Sequence, residues 1–522
     1  MKWETSMKIT LLATSDVHGY IYPTNYATDQ EQPYGYAKIA SRIKQIRETS
    51  PDPLYVIDNG DFIQGSPFSY YLAKQQDHHV SELTNVLNEM DVDASILGNH
   101  EFNYGLSYLE QAITSYHHPV LSANILTSKG DPYFGQPYVM IEKQGIKVAI
   151  LGLTTQYIPH WEQPETIKDL QFVSAVEAAK QYVPKLRELA DVVVVAYHGG
   201  FEKDLETGEP TEALTGENEG FQLLQEVAGM DALITGHQHR VIAAKVNGVP
   251  IIQPGYRGEF LGKIELSLER TVNGYRVSDG KAELISLVTD EADEDILSLV
   301  QKTENELQTW LDQTVGEVQG DMKITDPMQA RIVEHPYIEF INRVQMAASG
   351  VSISGTALFN NEGQGFNETI TMREIITNYI YPNTLAVLKI TGQDLRDALE
   401  QTANFLAIES GEIVFNPAFI EPKPQYYNYD MYEGIDYEID LRQPVGQRIT
   451  KLARAGNPIH PEEELEVVMN QYRAVGGGNY HMFSADKIIR EIQIDMTELI
   501  ADYLRKHQQI HAEVNHNFRV IK

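Results

Sequence analysis

The sequence contains no cysteine at all. This absence excludes disulfide bridges, thiolate zinc sites, iron–sulfur clusters and catalysis by a thiol nucleophile. A metal site in this chain must therefore use oxygen and nitrogen ligands. The absence does not fix the compartment, because a chain without cysteine tolerates reducing and oxidising surroundings alike.

Positive charge is also scarce. The 41 Lys and Arg residues face 74 Asp and Glu residues, for a formal net charge of −33. Such a surface repels polyanions, so we expect no nucleic acid polymer as a partner. Hydrophobic residues make up 42% and charged residues 22% of the 522-residue chain, which is typical of globular proteins and leaves room for several domains.

Long hydrophobic runs are missing as well. The first apolar run, Ile9 to Ala13, is too short for the core of a signal peptide. No stretch reaches the roughly 20 apolar residues of a transmembrane helix. We therefore expect a soluble, cytoplasmic protein that acts on a small molecule without a membrane partner, although a chain whose leader had been removed would begin in the same way. The sequence leaves the oligomeric state open.

The first part of the chain alternates short β-branched runs with helical patterns. Near-continuous apolar runs of this length are typical of strands that are covered on both faces. They lie at 8–15, 53–58, 94–98, 147–153, 191–197, 231–236 and 250–255. The pattern predicts an α/β layered domain over residues 1–290.

The remainder of the chain has a different pattern. Residues 289–315 carry one apolar stripe and predict a helix, which either links two domains or packs on the first. Gly and Pro residues at 316–327 indicate a boundary, so residues 291–327 are interpreted as a linker helix and hinge. Residues 328–522 mix helical and strand-like patterns with a Gly-rich element, which predicts an α+β domain.

Five short polar clusters directly follow predicted strands of the first domain. In open α/β sheets ligands bind at the carboxyl ends of the strands, so residues at that edge converge in space. The cluster residues of interest are Asp16, His18, Asp61, Asn99, His100, His198, His237 and His239. The pattern predicts that these side chains form one rim.

The chemistry of this rim favours divalent metal ions. Carboxylate, amide and imidazole donors suit Mn²⁺, Zn²⁺, Fe²⁺ or Co²⁺. About seven such ligands are too many for one tetrahedral ion but suit two ions about 4 Å apart, which can clamp a phosphoryl group. Two such ions bring four positive charges against the two carboxylates of Asp16 and Asp61, so the rim would select anions despite the net charge of the chain.

Each of these residues also has an ordinary explanation. A single His or Asp at a strand end is commonly a capping or hydrogen-bonded residue. The interpretation as a metal site depends on their occurrence after five strands, not on any one of them.

The motifs match a known pattern. The sequences DVH, GDFIQG, GNHEF, HGG and GHQH resemble those of the calcineurin-like metallophosphoesterase superfamily. In the second half, YIYPNTLAVLKITGQDL, YNYDMYEGIDYEIDL and YRAVGGGNY resemble the C-terminal domain of the 5′-nucleotidase family. The resemblance covers nearly the whole chain. It implies a four-layer αββα-type domain followed by an α+β nucleoside-binding domain.

The resemblance also implies which residues act. The first metal would be held by Asp16, His18, Asp61 and His239. The second would be held by Asp61, Asn99, His198 and His237, with Asp61 bridging. The implied catalytic residues are His100, which would stabilise charge on the phosphoryl or leaving-group oxygen, and Asn99 and Asn103 of the same motif.

The C-terminal domain of this family sandwiches the nucleobase between two aromatic rings. The matching positions are Tyr427 and Tyr472. Gly476, Gly477 and Gly478 would let the backbone approach a ligand closely. Tyr427 is the weaker assignment, because a chain with 29 tyrosines places an aromatic residue near many motifs.

Within the family, the motif NHEFNYG favours the 2′,3′-cyclic-nucleotide 2′-phosphodiesterase/3′-nucleotidase branch, since 5′-nucleotidases usually carry Asp where this chain has Asn103. The implied activity is the opening of 2′,3′-cyclic nucleoside monophosphates to 3′-nucleotides, and the dephosphorylation of 3′-nucleotides, by metal-hydroxide attack on phosphorus. One alternative is a 5′-nucleotidase or nucleotide-sugar hydrolase on the same scaffold, although Gly478 replaces the usual Asp there. A second alternative is a non-catalytic nucleotide-binding protein.

Overall fold

A computed structural model describes residues 7–75, 79–212, 214–272, 274–381 and 383–522. The chain divides into two compact units, Met1–Leu307 and Gln308–Lys522. Among the described residues, no helix combines the length and the apolarity that a membrane span requires.

The strands of the first unit range from two to twelve residues in length, and those that pair in parallel are mostly buried. They are β1 (Met7–Thr14), β2 (Thr24–Asn25), β3 (Gln30–Glu31), β4 (Leu54–Asp58), β5 (Ala94–Ile96), β6 (Val120–Leu121), β7 (Ile125–Leu126), β8 (Tyr138–Lys143), β9 (Ile146–Thr154), β10 (Gln171–Phe172), β11 (Val192–His198), β12 (Ala232–Ile234), β13 (Val241–Val246), β14 (Val249–Pro254), β15 (Phe260–Arg270) and β16 (Tyr275–Ser286). The helices are α1 (Tyr36–Thr49), α2 (Pro67–Lys74), α3 (Ser81–Glu89), α4 (Leu106–Ser115), α5 (Pro164–Ile167), α6 (Ala175–Leu189), α7 (Gly220–Glu226) and α8 (Glu294–Leu311).

Two six-stranded sheets form the core of this unit. The first has the order β16-β15-β1-β4-β5-β6, and the second has the order β13-β14-β12-β11-β9-β8. Strands β1, β4, β5 and β6 run parallel to one another, as do β9, β11, β12 and β14. All seven apolar runs identified in the sequence are parallel strands in these two sheets.

The sheets pack face to face because their strands present apolar residues on both sides. One buried cluster contains alternate residues of both sheets, such as Leu11 in β1 and Val194 in β11. On its other side, the second sheet packs Leu151 and Val195 against α6 and α7. Helix α1 packs on the first sheet, where the hydroxyl of Tyr36 donates to Asp58 Oδ1 at 2.5 Å. The predicted helix–sheet–sheet–helix layering is confirmed.

The second unit mixes helices and sheets. Its strands are β17 (Thr314–Gln319), β18 (Met322–Lys323), β19 (Ser354–Ala357), β20 (Gly365–Phe366), β21 (Thr369–Thr371), β22 (Leu385–Thr391), β23 (Leu406–Glu409), β24 (Glu412–Phe415), β25 (Asp430–Glu433), β26 (Asp436–Asp440), β27 (Ile449–Arg454), β28 (Asn457–Pro458), β29 (Glu464–Asn470), β30 (Ile488–Ile492), β31 (Gln509–His511) and β32 (Phe518–Ile521). Its helices are α9 (Gln329–Ile332), α10 (Pro336–Ser349), α11 (Met372–Asn378), α12 (Gly392–Ala403), α13 (Gln471–Ala474) and α14 (Met496–His507). A five-stranded sheet of order β25-β19-β29-β22-β30 forms its centre.

The division between the two units lies within the predicted linker segment, residues 291–327. It falls between Leu307 and Gln308, inside α8. The segment 316–327, interpreted from sequence as a hinge, belongs to the second unit, where β17 pairs with both β21 and β31. The glycine signal there marks a turn between two short strands, because Gly320 adopts φ 103° directly after β17.

Candidate metal centre

Side chains from five strand ends converge at one edge of the first unit. Three of these strands, β1, β4 and β5, belong to the first sheet, and two, β11 and β12, belong to the second. The backbone at the rim is unusual, because left-handed conformations occur at Asp16, His18, Asp61, His237 and His239, with φ between 55° and 68°. Left-handed backbone at non-glycine residues costs free energy and is concentrated at functional sites. Five of the seven predicted ligands therefore have a strained backbone.

The first group of donors consists of Asp16, His18 and His239, whose ligand atoms all lie within 4.8 Å of one another. The Nε2 atoms of His18 and His239 are 3.2 Å apart, and His239 Nε2 is 3.5 Å from Asp16 Oδ1. Burial lowers the pKa of His18 to about 4, so its ring is neutral near pH 7 and keeps a lone pair. Two imidazole nitrogens facing each other beside a carboxylate fit a shared cation.

The second group consists of Asp61, His198 and His237, again with ligand atoms within 4.8 Å of one another. His198 Nε2 is 3.2 Å from Asp61 Oδ2 and 3.9 Å from Asp16 Oδ1, so the two groups are adjacent. Asn99 joins this group, since its Oδ1 is 2.8 Å from His237 Nδ1. The bridging role of Asp61 stays a prediction.

Two atoms at the centre lack hydrogen-bond partners among the described residues. They are Asp61 Oδ2 and His198 Nε2, and both side chains are fully buried. Burial alone would raise the pKa of Asp61, but His198 and His100 hold it well below its ordinary value. Burial alone would lower the pKa of His198, but Asp61 and Asp16 raise it to about 10. Without a metal, the two carboxylates therefore hold a proton on His198. A divalent cation would supply the positive charge in its place, so the donor set fits a metal.

The imidazole rings are held by bonds on the side away from the donors' meeting point. His18 Nδ1 lies 3.0 Å from the carbonyl of Gln64, and His198 Nδ1 lies 2.6 Å from the carbonyl of Asn59. His237 Nε2 is 2.8 Å from Glu217 Oε1. An N–H donated to an oxygen on one side of a ring fixes the tautomer and the direction in which the other nitrogen points.

Two glycines make room for the carboxylates. A Cβ at Gly98 would lie 2.2 Å from Asp61 Oδ1, and a Cβ at Gly236 would lie 2.6 Å from Asp16 Oδ2. Both distances are far below van der Waals contact. The glycines of the GNHEF and GHQH motifs are therefore required because the carboxylates lie against their backbone.

His100 lies beside the donors in the 3₁₀ turn His100–Phe102. Its ring meets that of His18 edge to face, with centroids 5.1 Å apart. Its backbone N–H donates to Asp61 Oδ1 at 2.8 Å, and its Nδ1 is 2.7 Å from Asn103 Oδ1. The structure therefore places the predicted catalytic histidine next to both donor groups.

Sequence reasoning missed several residues of this site. Glu101 accepts backbone N–H bonds from Gly98, Asp61 and Phe62, and so ties two rim loops together. Burial raises the pKa of Glu101 to about 7. Its position inside the GNHEF motif could have identified Glu101 as part of the site. Glu217, which contacts His237, follows no motif in the sequence.

A sixth strand end also contributes. The segment after β9 brings the ring of Trp161 to 5.3 Å from that of His237, and it brings Glu162 to Asn103, whose Nδ2 donates to Glu162 Oε1 at 2.6 Å. The strand itself was predicted from its apolar run. Its loop carries no Asp or His directly after the strand, so it did not stand out.

The predicted nucleoside-binding residues lie together in the second unit. The rings of Tyr427 and Tyr472 are neighbours, with centroids 6.2 Å apart and planes inclined by 74°. A Cβ at Gly477 would lie 2.7 Å from the Tyr472 ring, and one at Gly478 would lie 2.2 Å from Asn428 Oδ1. The glycines therefore admit close contacts, but the two rings form an edge-to-face pair. A base sandwich stays a prediction that requires one ring to turn.

Comparison with known proteins extends this picture. The calcineurin-like phosphoesterase family matches residues 9–241, and the 5′-nucleotidase C-terminal domain matches residues 314–485. A Staphylococcus aureus protein provisionally assigned as a 5′-nucleotidase has a crystal structure with a TM-score of 0.92 and 38% identity, over 99% of this chain and 100% of that one.

Two relatives have informative names. The trifunctional nucleotide phosphoesterase protein YfkN of Bacillus subtilis is 28% identical over 98% of this chain, which spans only 39% of that protein's length. A Haemophilus influenzae protein named 2′,3′-cyclic-nucleotide 2′-phosphodiesterase/3′-nucleotidase is 28% identical over 99% of this chain and 87% of its own length. With the rim motifs in place and both domains matched, the chain belongs to the calcineurin-like phosphoesterases that carry a 5′-nucleotidase C-terminal domain.

Proposed function

We propose that this chain is a metal-dependent phosphoesterase that opens 2′,3′-cyclic nucleoside monophosphates and dephosphorylates the resulting 3′-nucleotides. The observation that carries the proposal is the pair of adjacent donor groups, with His100 beside them. Two divalent ions of the Mn²⁺, Zn²⁺, Co²⁺ or Fe²⁺ type would be held there, one by Asp16, His18, Asp61 and His239 and the other by Asp61, Asn99, His198 and His237. When bound, such ions neutralise phosphoryl charge and lower the pKa of water.

The protein's own groups supply the rest of the chemistry. As an imidazolium, His100 would donate its Nδ1–H to Asn103 and its Nε2–H to the oxygen on which charge develops as the ester bond breaks. The buried carboxylates of Asp16 and Asp61 hold the positive charge of the centre in place. A phosphoryl group held at this centre would lie beside His100, whose ring is 5.1 Å from that of His18.

The relatives support the substrate class. The Haemophilus protein carries both proposed activities in its name, and the Bacillus protein is named as a nucleotide phosphoesterase. Asn103 replaces the Asp that is usual in 5′-nucleotidases, in keeping with the same branch. The second candidate is a 5′-nucleotidase, and the assignment of the 38% identical Staphylococcus protein favours it.

A substrate panel on one preparation tests the proposal. With Mn²⁺ present, we expect 2′,3′-cyclic AMP and 3′-AMP to be turned over with higher kcat/KM than 5′-AMP, and chelation to remove all three activities. Faster turnover of 5′-AMP than of both other substrates would support the 5′-nucleotidase instead. Hydrolysis that survives thorough chelation would contradict a metal-dependent reaction.

The nucleoside is proposed to bind through Tyr427 and Tyr472, with the backbone at Gly476, Gly477 and Gly478 alongside. We expect Tyr472→Ala to raise KM for 2′,3′-cyclic AMP about 5- to 150-fold, because stacking on an aromatic ring is worth roughly 1–3 kcal/mol per base. The change in kcat should be small. Steady-state kinetics measure both parameters.

A matched variant, Tyr503→Ala, removes a tyrosine of the same unit whose ring packs on Phe340 instead. It should leave KM unchanged. An equal rise in KM in both variants would mean that the effect comes from a general disturbance of the second unit and not from lost stacking.

A further inference from the structure

Three side chains from two separate segments of the first unit form a continuous hydrogen-bonded row. His100 Nδ1 is 2.7 Å from Asn103 Oδ1, and Asn103 Nδ2 donates to Glu162 Oε1 at 2.6 Å. Both distances are short for bonds that involve nitrogen. Glu162 is far from His100 in sequence and reaches the row from the loop after β9, directly following the 3₁₀ turn Ile158–His160.

The polarity of this row follows from the chemistry of its members. An ionised carboxylate only accepts hydrogen bonds, whereas an amide has one accepting oxygen and one donating nitrogen. When Glu162 is ionised, the Asn103 amide places its NH₂ toward the carboxylate and its oxygen toward His100. An oxygen at that position accepts a hydrogen bond from His100, so Nδ1 must carry a hydrogen.

Burial and the bond from Asn103 have opposite effects on the charge of Glu162. Burial raises the pKa of Glu162 to about 7, and the hydrogen bond from Asn103 opposes that rise. The hydrogen bond from the Asn103 amide therefore replaces part of the hydration that stabilises the ionised carboxylate in water. Nearby, Trp161 anchors the same loop by packing its ring against that of His237.

We infer that Glu162 is a positioning residue for the phosphoesterase reaction. It fixes the orientation of the Asn103 amide and, through it, the His100 ring, which donates its Nδ1–H to the amide and turns Nε2 toward the substrate. In the reaction Nε2 would also carry a proton, which it donates to the leaving oxygen. Glu162 acts through Asn103 and does not itself touch the reacting atoms. The effect on kcat rests on the proposed function. The hydrogen-bonded row itself does not, because it is present in the protein without substrate.

The single variant Glu162→Gln keeps the shape of the side chain but can offer either an oxygen or an NH₂ group to Asn103. The amide of Asn103 is then no longer held in one orientation. We expect kcat to fall about tenfold with KM and metal content unchanged, which corresponds to the usual cost of losing one hydrogen bond to a charged group. The matched variant Glu165→Gln changes an exposed glutamate that pairs with Lys168 close by, and should leave kcat unchanged.

The same substitution should have the opposite effect when Asn103 is replaced by aspartate. Asn103→Asp places two carboxylates at hydrogen-bond distance, where they repel each other. Adding Glu162→Gln restores the row, because the new amide NH₂ can donate to the carboxylate introduced at position 103 while His100 donates to it from the other side. We therefore expect Glu162→Gln to lower kcat in the natural chain and to raise it in the Asn103→Asp background. Purely structural damage would lower kcat in both backgrounds.

A second measurement is independent of catalysis. In protein free of paramagnetic metal, the His100 Nδ1–H should give a downfield proton resonance in water, identified by its loss in His100→Ala. We expect Glu162→Gln to weaken or shift this signal, and Glu165→Gln to leave it unchanged. If no nucleotide is hydrolysed but the signal responds, the proposed function fails, whereas the orientation of His100 by Glu162 through Asn103 stands. An unaltered signal, or the same kinetic factor in both backgrounds, would overturn the inference.

Discussion

Replacing Asp61 by asparagine is expected to abolish phosphoesterase activity and to empty at least one metal position. Asp61 is fully buried, and its Oδ2 lies 3.2 Å from His198 Nε2. An amide cannot balance the charge of a cation there, and its NH₂ group would face the imidazole nitrogen. Metal ions contribute several kcal/mol to the stabilisation of transition-state charge, so kcat/KM should fall by about 10³-fold or more. Elemental analysis alongside steady-state kinetics measures both effects.

Asp58 offers a matched control for this variant. It is the last residue of β4, three residues before Asp61, and is also buried, but its carboxylate accepts bonds from Thr14 and Tyr36. Asp58→Asn should keep the metal content of the natural protein, whatever it does to stability. If Asp61→Asn retained full metal content and activity, the assignment of Asp61 as a ligand would be wrong. If both variants lost metal equally, the loss would reflect a disturbed β4 and not a missing ligand.

The affinity of the centre for cations should depend on pH in a defined direction. Without metal, the pKa of His198 is raised to about 10 by Asp61 and Asp16, so the ring is protonated near neutral pH. A cation that binds Nε2 must displace that proton. Metal affinity should therefore rise as the pH is raised from 6 toward 9, and the rise should be smaller in Asp61→Asn because one of the carboxylates that holds the proton is gone.

The strand ends were the most predictable part of this protein. Every strand of the two parallel arrays that bears a predicted ligand has a near-continuous apolar run, and each ligand follows its run within a few residues. A buried strand followed by Asp or His is a local pattern, so it can be read without knowing the fold. What the pattern could not give is the division of these strands between two sheets, since that depends on long-range pairing.

Residues that hold the site residues in place were harder to predict from the sequence. Glu101 holds two rim loops through their backbone N–H groups, and Glu217 contacts His237 from a long loop. Glu162 meets Asn103 only because β9 and β5 place their following loops side by side. None of these contacts has a spacing rule along the chain. They follow from tertiary structure, as does the 74° inclination between Tyr427 and Tyr472 that the predicted base sandwich did not anticipate.

Replacing His100 by alanine is expected to lower kcat by about 10²- to 10⁴-fold, the usual range for loss of a group that handles a proton or charge at the reacting atoms. Metal content should be unchanged, because His100 belongs to neither donor group. Its bond to Asp61 comes from the backbone N–H, which alanine retains, and its ring only packs against that of His18. This separation between metal content and rate distinguishes His100→Ala from Asp61→Asn. His117→Ala, an exposed histidine elsewhere in the first unit, should change neither quantity.

The dependence on the leaving group tests the role given to His100 more directly. The 2′-oxygen of a cyclic nucleotide leaves as a poorly stabilised alkoxide and needs help from a neighbouring N–H, whereas p-nitrophenolate leaves readily without it. The loss caused by His100→Ala should therefore be large for 2′,3′-cyclic AMP and much smaller for bis(p-nitrophenyl) phosphate. An equal loss for both substrates would show that His100 serves substrate binding or the attack on phosphorus, and not the departing oxygen.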